Sequence, residues 1–348
     1  MAPLAFLIPG DLTLPTGGYA YDRRVLALLA SQGIAARHVP LPDAYPYPRQ
    51  SDLDETVRIV QALPGDAVLL IDGLAFGAMP AATIQAFRRP IVALCHHPLG
   101  LEAGLTAEQS KAFIACEAAA LSRSEAVIVT SPATRALLIA ELGVPADRIT
   151  VAMPGTDPAP RATGTGKPLQ LLAVGSIVPR KGYGFLVEAL AALSDLDWHL
   201  AIVGAEDRSP ETAVALRATV AAKGLEDRIA VLGAVDEAEL TRQYARADLF
   251  VLPSLFEGYG MVLAEAMARG LPIVCTTGGA AAETVPGNAA IKVPPGDANA
   301  LATALRQMIE RPLIRAAKAE AAWVAGSALP RWEDTTRIIA DVIRKVEP

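Results

Sequence analysis

The chain has 348 residues, 52% of them apolar and 20% charged, with a formal net charge of −6. That length exceeds one ordinary hydrophobic core and suits two domains. The acidic balance argues against nucleic acid as a partner, because phosphate-backbone binding needs a basic stripe, and apolar runs of strand length, broken by Gly, Pro or charge, predict no transmembrane segment.

In chain order, Leu4 to Ile8 reads as a first buried strand: it lacks a basic lead and is too short for a signal peptide, so a cytoplasmic address is expected. A loop through Asp11 to Gly18 follows. An amphipathic run from Tyr21 to Ser31 then crowds Val25, Leu26, Leu28 and Leu29 on one side, with Gly33 as its stop. The Gly17-Gly18 pair is no dinucleotide fingerprint, since the G-x-G-x-x-G spacing is absent, which disfavours an NAD-dependent oxidoreductase.

Ala67 to Asp72 and Pro90 to Cys95 are continuous apolar strands around a helix-compatible segment, Ala81 to Phe87; runs of this kind are buried on both faces of a parallel sheet. The second ends in Cys95-His96-His97-Pro98. Adjacent residues of an extended segment point to opposite faces, so one histidine at most faces a given cleft, at a strand's carboxyl end where open α/β sheets bind ligands. A helix from Thr106 to Ser122, a strand from Ala126 to Ser131, a helix from Pro132 to Leu142 and a strand from Ile149 to Met153 complete the first half. Cys95, Cys116 and Cys275 are odd in number, widely separated and set in apolar or helical context, as expected of reduced core thiols. The four histidines show no metal-ligand spacing.

The Pro-, Gly- and Thr-rich stretch from Pro158 to Pro168 reads as an interdomain linker. Its Gly166-Lys167 is not a P-loop, because Pro168 stands where the metal-binding Ser or Thr belongs. Strands follow at Leu169 to Val174, His199 to Val203, Ile229 to Leu232, Leu249 to Leu252, Ile273 to Cys275 and Ala290 to Val293, and an amphipathic helix with Trp332 starts after Pro330. Alternation of strand and helix through both halves predicts an α/β protein of two doubly wound domains. The most informative stretch is Leu255 to Gly270. It places Gly258 and Gly260 where a helix opens at a strand's carboxyl end, suiting an anion, and it carries Glu257 and Glu265.

These residues together resemble the retaining glycosyltransferases of GT-B architecture, and among them family 4 (group 1). The likeness runs through nearly the whole chain: Gly17-Gly18, His96, Gly155-Thr156-Asp157, Val174-Gly175 with Pro179 to Gly182, Leu232 to Val235, Ser254 to Gly270, Gly278-Gly279 with Glu283, and the Trp332 helix. The resemblance implies two Rossmann-like domains facing a central cleft: residues 1–160 on the acceptor side, a linker at 161–168, a nucleotide-sugar donor domain at 169–327, and a helix at 328–348 crossing back to the first domain.

It also implies roles. Lys181 is similar to the family's phosphate-binding lysine, meeting the negative charge on a leaving diphosphate; Arg180 beside it ranks lower. Ser176 replaces the arginine common in relatives, leaving a hydroxyl where a second cation is usual. Glu257 and Glu265, about 12 Å apart were the eight steps between them helical, are too distant for an acid and nucleophile pair. The resemblance casts Glu257 as a holder of sugar hydroxyls and Glu265 as an acceptor from the ribose, with the backbone of Gly258, Tyr259, Gly260 and Met261 donating to sugar or phosphate. His96 matches the strand-end histidine near the sugar, His97 being its alternate. Gly17 and Gly18 let their loop approach phosphate or acceptor, Gly233 and Val235 meet the base, and Glu283 has a weaker, mostly structural claim.

The expected chemistry is front-face transfer with retention, the leaving phosphate taking the acceptor's proton, with no metal or other cofactor. The partners are a nucleotide-sugar donor and a saccharide, lipid-linked or small-molecule acceptor, in the cytoplasm or at a membrane's face. A related GT-B epimerase or phosphorylase shares the same cleft, and a non-catalytic nucleotide-sugar-binding protein is the alternative that Ser176 raises.

Overall fold

The computed structural model describes residues 3–346, which divide into two compact units: residues up to Gly155 together with those from Pro330 onward, and Thr156–Leu329. The first unit holds β1 (Leu4–Pro9), β2 (Ala36–Leu41), β3 (Val68–Asp72), β4 (Ile91–Cys95), β5 (Ala126–Val129) and β6 (Ile149–Val151). They form one parallel sheet in the order β2-β1-β3-β4-β5-β6. Every residue of β3 and β4 is buried, as a sheet covered on both faces requires. Edge strand β2 went unread in the sequence; its exposure alternates and it carries Pro40, a pattern suited to an edge but not to the apolar run that marks an interior strand.

The first helix spans Gly17–Leu29, not Tyr21 onward. Thr16 caps it by accepting from the Tyr19 N–H (3.2 Å), so Gly17 and Gly18 form its first turn instead of the end of a loop. The helix Trp332–Val346 packs on it: the Tyr21 and Trp332 rings meet edge to face at 5.7 Å, and the Arg24 guanidinium lies 5.5 Å over the indole. Thr335 Oγ1 donates to the Met153 carbonyl (2.7 Å). A Cβ on Gly155 would collide with the Trp332 backbone, so the glycine allows the two segments to touch.

The second unit holds β7 (Leu169–Val174), β8 (Trp198–Val203), β9 (Ile229–Gly233), β10 (Leu249–Leu252), β11 (Ile273–Thr276) and β12 (Ala290–Val293), parallel in the order β12-β11-β10-β7-β8-β9. The segment before β7 is fastened to this unit: the Ala162 N–H donates to Arg269 O (2.8 Å), and Asp248 accepts from the backbone of Thr165, Gly166 and Gln170.

Each sheet grows outward in both directions from a central pair, β1 with β3 in the first and β7 with β10 in the second. Loops leaving the carboxyl ends of such a pair part to opposite faces and open a crevice, which is where open α/β sheets take ligands. Among the described residues no helix is long and apolar enough to cross a membrane.

Candidate active site

In the second unit the chain leaves β7 through Gly175 and Ser176 into a one-turn helix, Pro179–Lys181, closed by Gly182 at φ +65°. A Cβ on Gly182 would strike the Pro253 carbonyl, so only glycine lets this turn lie against the end of β10. The Leu255 N–H donates to Arg180 O (2.7 Å), tying the two loops together. Across that tie Lys181 Nζ donates to Glu257 Oε1 at 2.7 Å, with both residues buried. Arg180 does not project into solvent as a neighbouring loop residue might be expected to: its Nη1 donates to Phe256 O (2.7 Å) and lies 3.5 Å from Glu257 Oε2. Burial alone would raise the Glu257 pKa; the Lys181 and Arg180 charges outweigh it and hold the carboxyl below its ordinary range.

Glu257 is fixed through its backbone. It pairs with Gly279 as an isolated parallel bridge, its N–H donates to Gly278 O (3.2 Å) and its carbonyl accepts from Ala280 N–H (2.8 Å). Gly258 and the buried Tyr259 lead to Gly260, the N-cap of the helix Met261–Ala268, which has no side-chain cap and whose Leu263 N–H donates back to Gly260 O (2.8 Å). Glu265, on that helix, accepts from the Tyr244 hydroxyl (2.9 Å). Tyr244 stacks on Phe250 at 5.9 Å and lies under the Arg269 guanidinium at 4.3 Å. Burial raises the Glu265 pKa against the opposing pull of Tyr244 and Arg269. Gly233 ends β9, its carbonyl accepting from Gly204 N–H (2.9 Å), and Val235 follows half-buried. Glu283 is exposed on the short helix Ala281–Thr284; it is Thr284 whose hydroxyl bonds to Tyr259 O (2.6 Å). The structure thus gathers Lys181, Arg180 and Glu257 at the β7/β10 switch point, and sets Ser176, Glu265 and the 258–261 backbone on the loops and helix leaving those strands.

In the first unit His96 leaves the carboxyl end of β4. Its Nε2 lies 3.0 Å from Asp22 Oδ1 and 3.4 Å from Asp72 Oδ2. A Cβ placed on Gly18 would touch the imidazole at 3.4 Å, whereas Gly17 is exposed with open space around it. His97 turns elsewhere, its Nε2 3.5 Å from Glu102 Oε2. The loop bearing both histidines is held by buried Glu117, which accepts from Leu99 N–H (2.9 Å) and from the Cys95 thiol (3.7 Å).

Asp22 and Asp72 were missed in the sequence, although each left a trace. Asp72 is a carboxylate ending a wholly apolar strand, and Asp22 sits three and seven positions before Val25 and Leu29, on the helix face those residues bury. Buried carboxylates pushed into apolar positions mark a partner, here a histidine 74 residues away that no local spacing reveals. Asp22, Asp72 and His96 are also the described residues whose ligand-type atoms converge, within 4.8 Å. The two carboxylates beside the ring outweigh the effect of burial and raise the histidine's pKa to about 10.

Two family profiles match the chain: "Glycosyl transferase 4-like domain" over residues 11–155 and "Glycosyl transferases group 1" over residues 168–311. A mannosylfructose-phosphate synthase of Agrobacterium fabrum is 33% identical over 171 residues, 44% of this chain and 38% of that protein. An MMP alpha-(1->4)-mannosyltransferase of Mycolicibacterium hassiacum is 24% identical over 284 residues, 77% of this chain and 68% of that protein. The matches to the synthase and to an amylovoran biosynthesis glycosyltransferase of Erwinia amylovora span 38% and 47% of those proteins, under half their length. Among solved structures, the sucrose-phosphate synthase of Thermosynechococcus elongatus superposes with a TM-score of 0.84 at 22% identity over 99% of both chains. Anabaena Alr3699/HepE in complex with UDP-glucose superposes with 0.79 at 20% identity, over 99% of this chain and 100% of that one.

Proposed function

The chain belongs to the group 1 glycosyltransferases, and on that premise we propose that it moves a hexosyl group from a nucleotide-diphosphate sugar to an acceptor hydroxyl with retention, in glycan or glycoconjugate synthesis. The observation that carries the reading is the Lys181–Glu257 pair, 2.7 Å apart and buried at the switch point. Two cations, Lys181 and Arg180, stand against one carboxylate there, a surplus of positive charge suited to a departing diphosphate. A bound diphosphate takes over Lys181, and the carboxylate it releases accepts from the donor sugar's hydroxyls. The open N-terminus of the helix Met261–Ala268 adds N–H donors, and Glu265, oriented by Tyr244, accepts from the ribose.

With that charge complement the chain's own groups carry the leaving-group charge, and no metal is required in this proposal. The role near the sugar that the resemblance implies for His96 is part of this proposal. A cytoplasmic setting belongs to the same proposal and is supported by three free cysteines.

A panel of nucleotide sugars screened for protection against thermal unfolding identifies the donor, and product analysis with candidate acceptors tests transfer. A new glycoside of unchanged anomeric configuration, formed undiminished in chelator, supports the reading. Inversion or chelator-abolished turnover overturns the mechanism, and donor binding without turnover on any acceptor marks a non-catalytic binding protein.

A further inference from the structure

We propose that Asp22 and Asp72 are positioning residues that clamp His96 through Nε2, so that His96 serves transfer as a hydrogen-bond donor from Nδ1 and not as a base. The inference rests on His96 belonging to the site.

Three elements converge on the ring. Asp22 comes from the helix after β1, Asp72 from the end of β3 and His96 from the end of β4, at the carboxyl edge where the first sheet reverses. Both carboxylates are buried, and each lies near Nε2, at 3.0 Å and 3.4 Å. The Tyr21 ring meets the imidazole edge to face at 5.1 Å, and a Cβ on Gly18 would stand in ordinary contact with the ring at 3.4 Å. Both carboxylates engage Nε2 and Tyr21 packs edge to face on the ring, so Nδ1 is the ring nitrogen these contacts leave for a ligand.

Packing alone does not account for Asp22. Its neighbours on the buried helix face are Tyr21, Val25 and Leu29, and its Oδ2 is buried without a hydrogen-bond partner, an arrangement that costs stability. The charged or titratable groups acting on it are His96, Asp72 and Arg23, with Tyr21 beside it. Arg23 is itself engaged with the carbonyls of Leu12 and Leu14, which leaves His96 as the hydrogen-bonded counter-charge.

The protonation state decides what Nδ1 can do. In a neutral ring with Nε2–H facing Asp22, Nδ1 is an acceptor and could take the attacking hydroxyl's proton; in an imidazolium it is a donor. Burial favours the neutral ring, but the Asp22 charge, the hydrogen bonds to both carboxylates and the Asp72 charge outweigh it. The step then balances without His96. The acceptor oxygen forms its bond to the anomeric carbon, the bond from that carbon to the phosphate oxygen breaks, and the hydroxyl proton passes to that phosphate oxygen while His96 keeps its own.

The test is a titration of ¹³C/¹⁵N-histidine-labelled protein by NMR from about pH 5.5 to 9.5, with His96→Gln identifying the resonance. The expected result is an imidazolium through neutral pH in the wild type, and a midpoint lowered at least tenfold in proton affinity in Asp22→Asn. The kcat of that variant should then fall as pH rises through the new midpoint, with donor KM little changed, and Asp22→Glu should restore the wild-type profile in part. Where Asp22→Asn does not fold, Asp72→Asn carries the same measurement. An ordinary His96 titration in the wild type overturns the clamp, as does a kcat loss that is uniform with pH while the resonance stays put. An inactive wild-type protein overturns the functional reading instead, and the titration still decides the clamp.

Discussion

Lys181 and Glu257 are joined at 2.7 Å across 76 positions of sequence, and the joint depends on two backbone devices that hold no charge at all. Gly182 lets the Lys181 turn lie against the end of β10, and Gly278-Gly279 grip the backbone of Glu257 from the neighbouring loop. The ion pair is therefore held ready from outside. Removing either charge leaves the other buried with weaker compensation, which is more disruptive than the pair's net contribution to stability.

Lys181→Ala should lower kcat/KM by roughly two to three orders of magnitude, the range for losing one preorganised donor at a developing negative charge. Arg180→Ala should cost about tenfold, because Arg180 sits farther from Glu257, at 3.5 Å, and works largely by holding the Phe256 carbonyl. Steady-state kinetics with the identified donor checks the ranking; equal losses would give the two cations equal parts.

Glu257→Gln should raise donor KM and lower kcat while the product keeps its anomeric configuration, since the carboxylate accepts hydroxyls and forms no covalent bond in this reading. With its pKa held below the ordinary value of 4.5, Glu257 stays ionised through the neutral range. Its contribution to stability is present above that value and is lost as pH falls through the lowered one. The acid limb of wild-type activity should therefore lie below about pH 4.5 wherever the fold survives. An inverted product from Glu257→Gln would refute the role.

Tyr244→Phe removes the hydroxyl that donates to Glu265 while keeping the ring on Phe250 and beneath Arg269. A hydrogen bond to a charged group contributes about 1.5–3 kcal/mol, and without it burial drives the Glu265 pKa still higher. Donor affinity should drop about tenfold with the secondary structure unchanged by circular dichroism. Unaltered nucleotide-sugar binding in calorimetry would detach Glu265 from the site.

What the sequence made legible follows from range. Interior strands such as β3, β4 and β10 are continuous apolar runs, so both sheets could be read from local composition. Lys181 and the 255–270 stretch were legible because the turn, the glycines and the helix start are neighbours in sequence. The Asp22–His96–Asp72 cluster was not, since its members come from one helix and two strand ends and each alone is an ordinary residue. The start of the helix Gly17–Leu29 was misplaced because paired glycines suggest a loop, and the Thr16 cap that draws them into a first turn is a weaker signal. Strand β2 was hidden by its own exposure.

Glu117 gives the remaining prediction, on stability. It is buried beneath the histidine-bearing loop, and burial pushes its pKa from 4.5 up to about 7, against the opposing hydrogen bonds from Leu99 N–H and the Cys95 thiol. The folded state thus holds a proton that the unfolded chain releases near pH 4.5. Between those values the folded form binds more protons, so stability is fully present below the unfolded pKa and is lost as pH rises through the folded one. The loss attributable to this group is on the order of 3 kcal/mol. Glu117→Gln keeps an oxygen for Leu99 N–H and carries no ionisable proton. Its denaturation midpoint should match or exceed the wild type's at about pH 8 and lack this portion of the decline between about pH 4.5 and 7. Parallel stability profiles for the two proteins over that window would show that Glu117 is ionised in the fold and that the loop rests on a charged carboxylate.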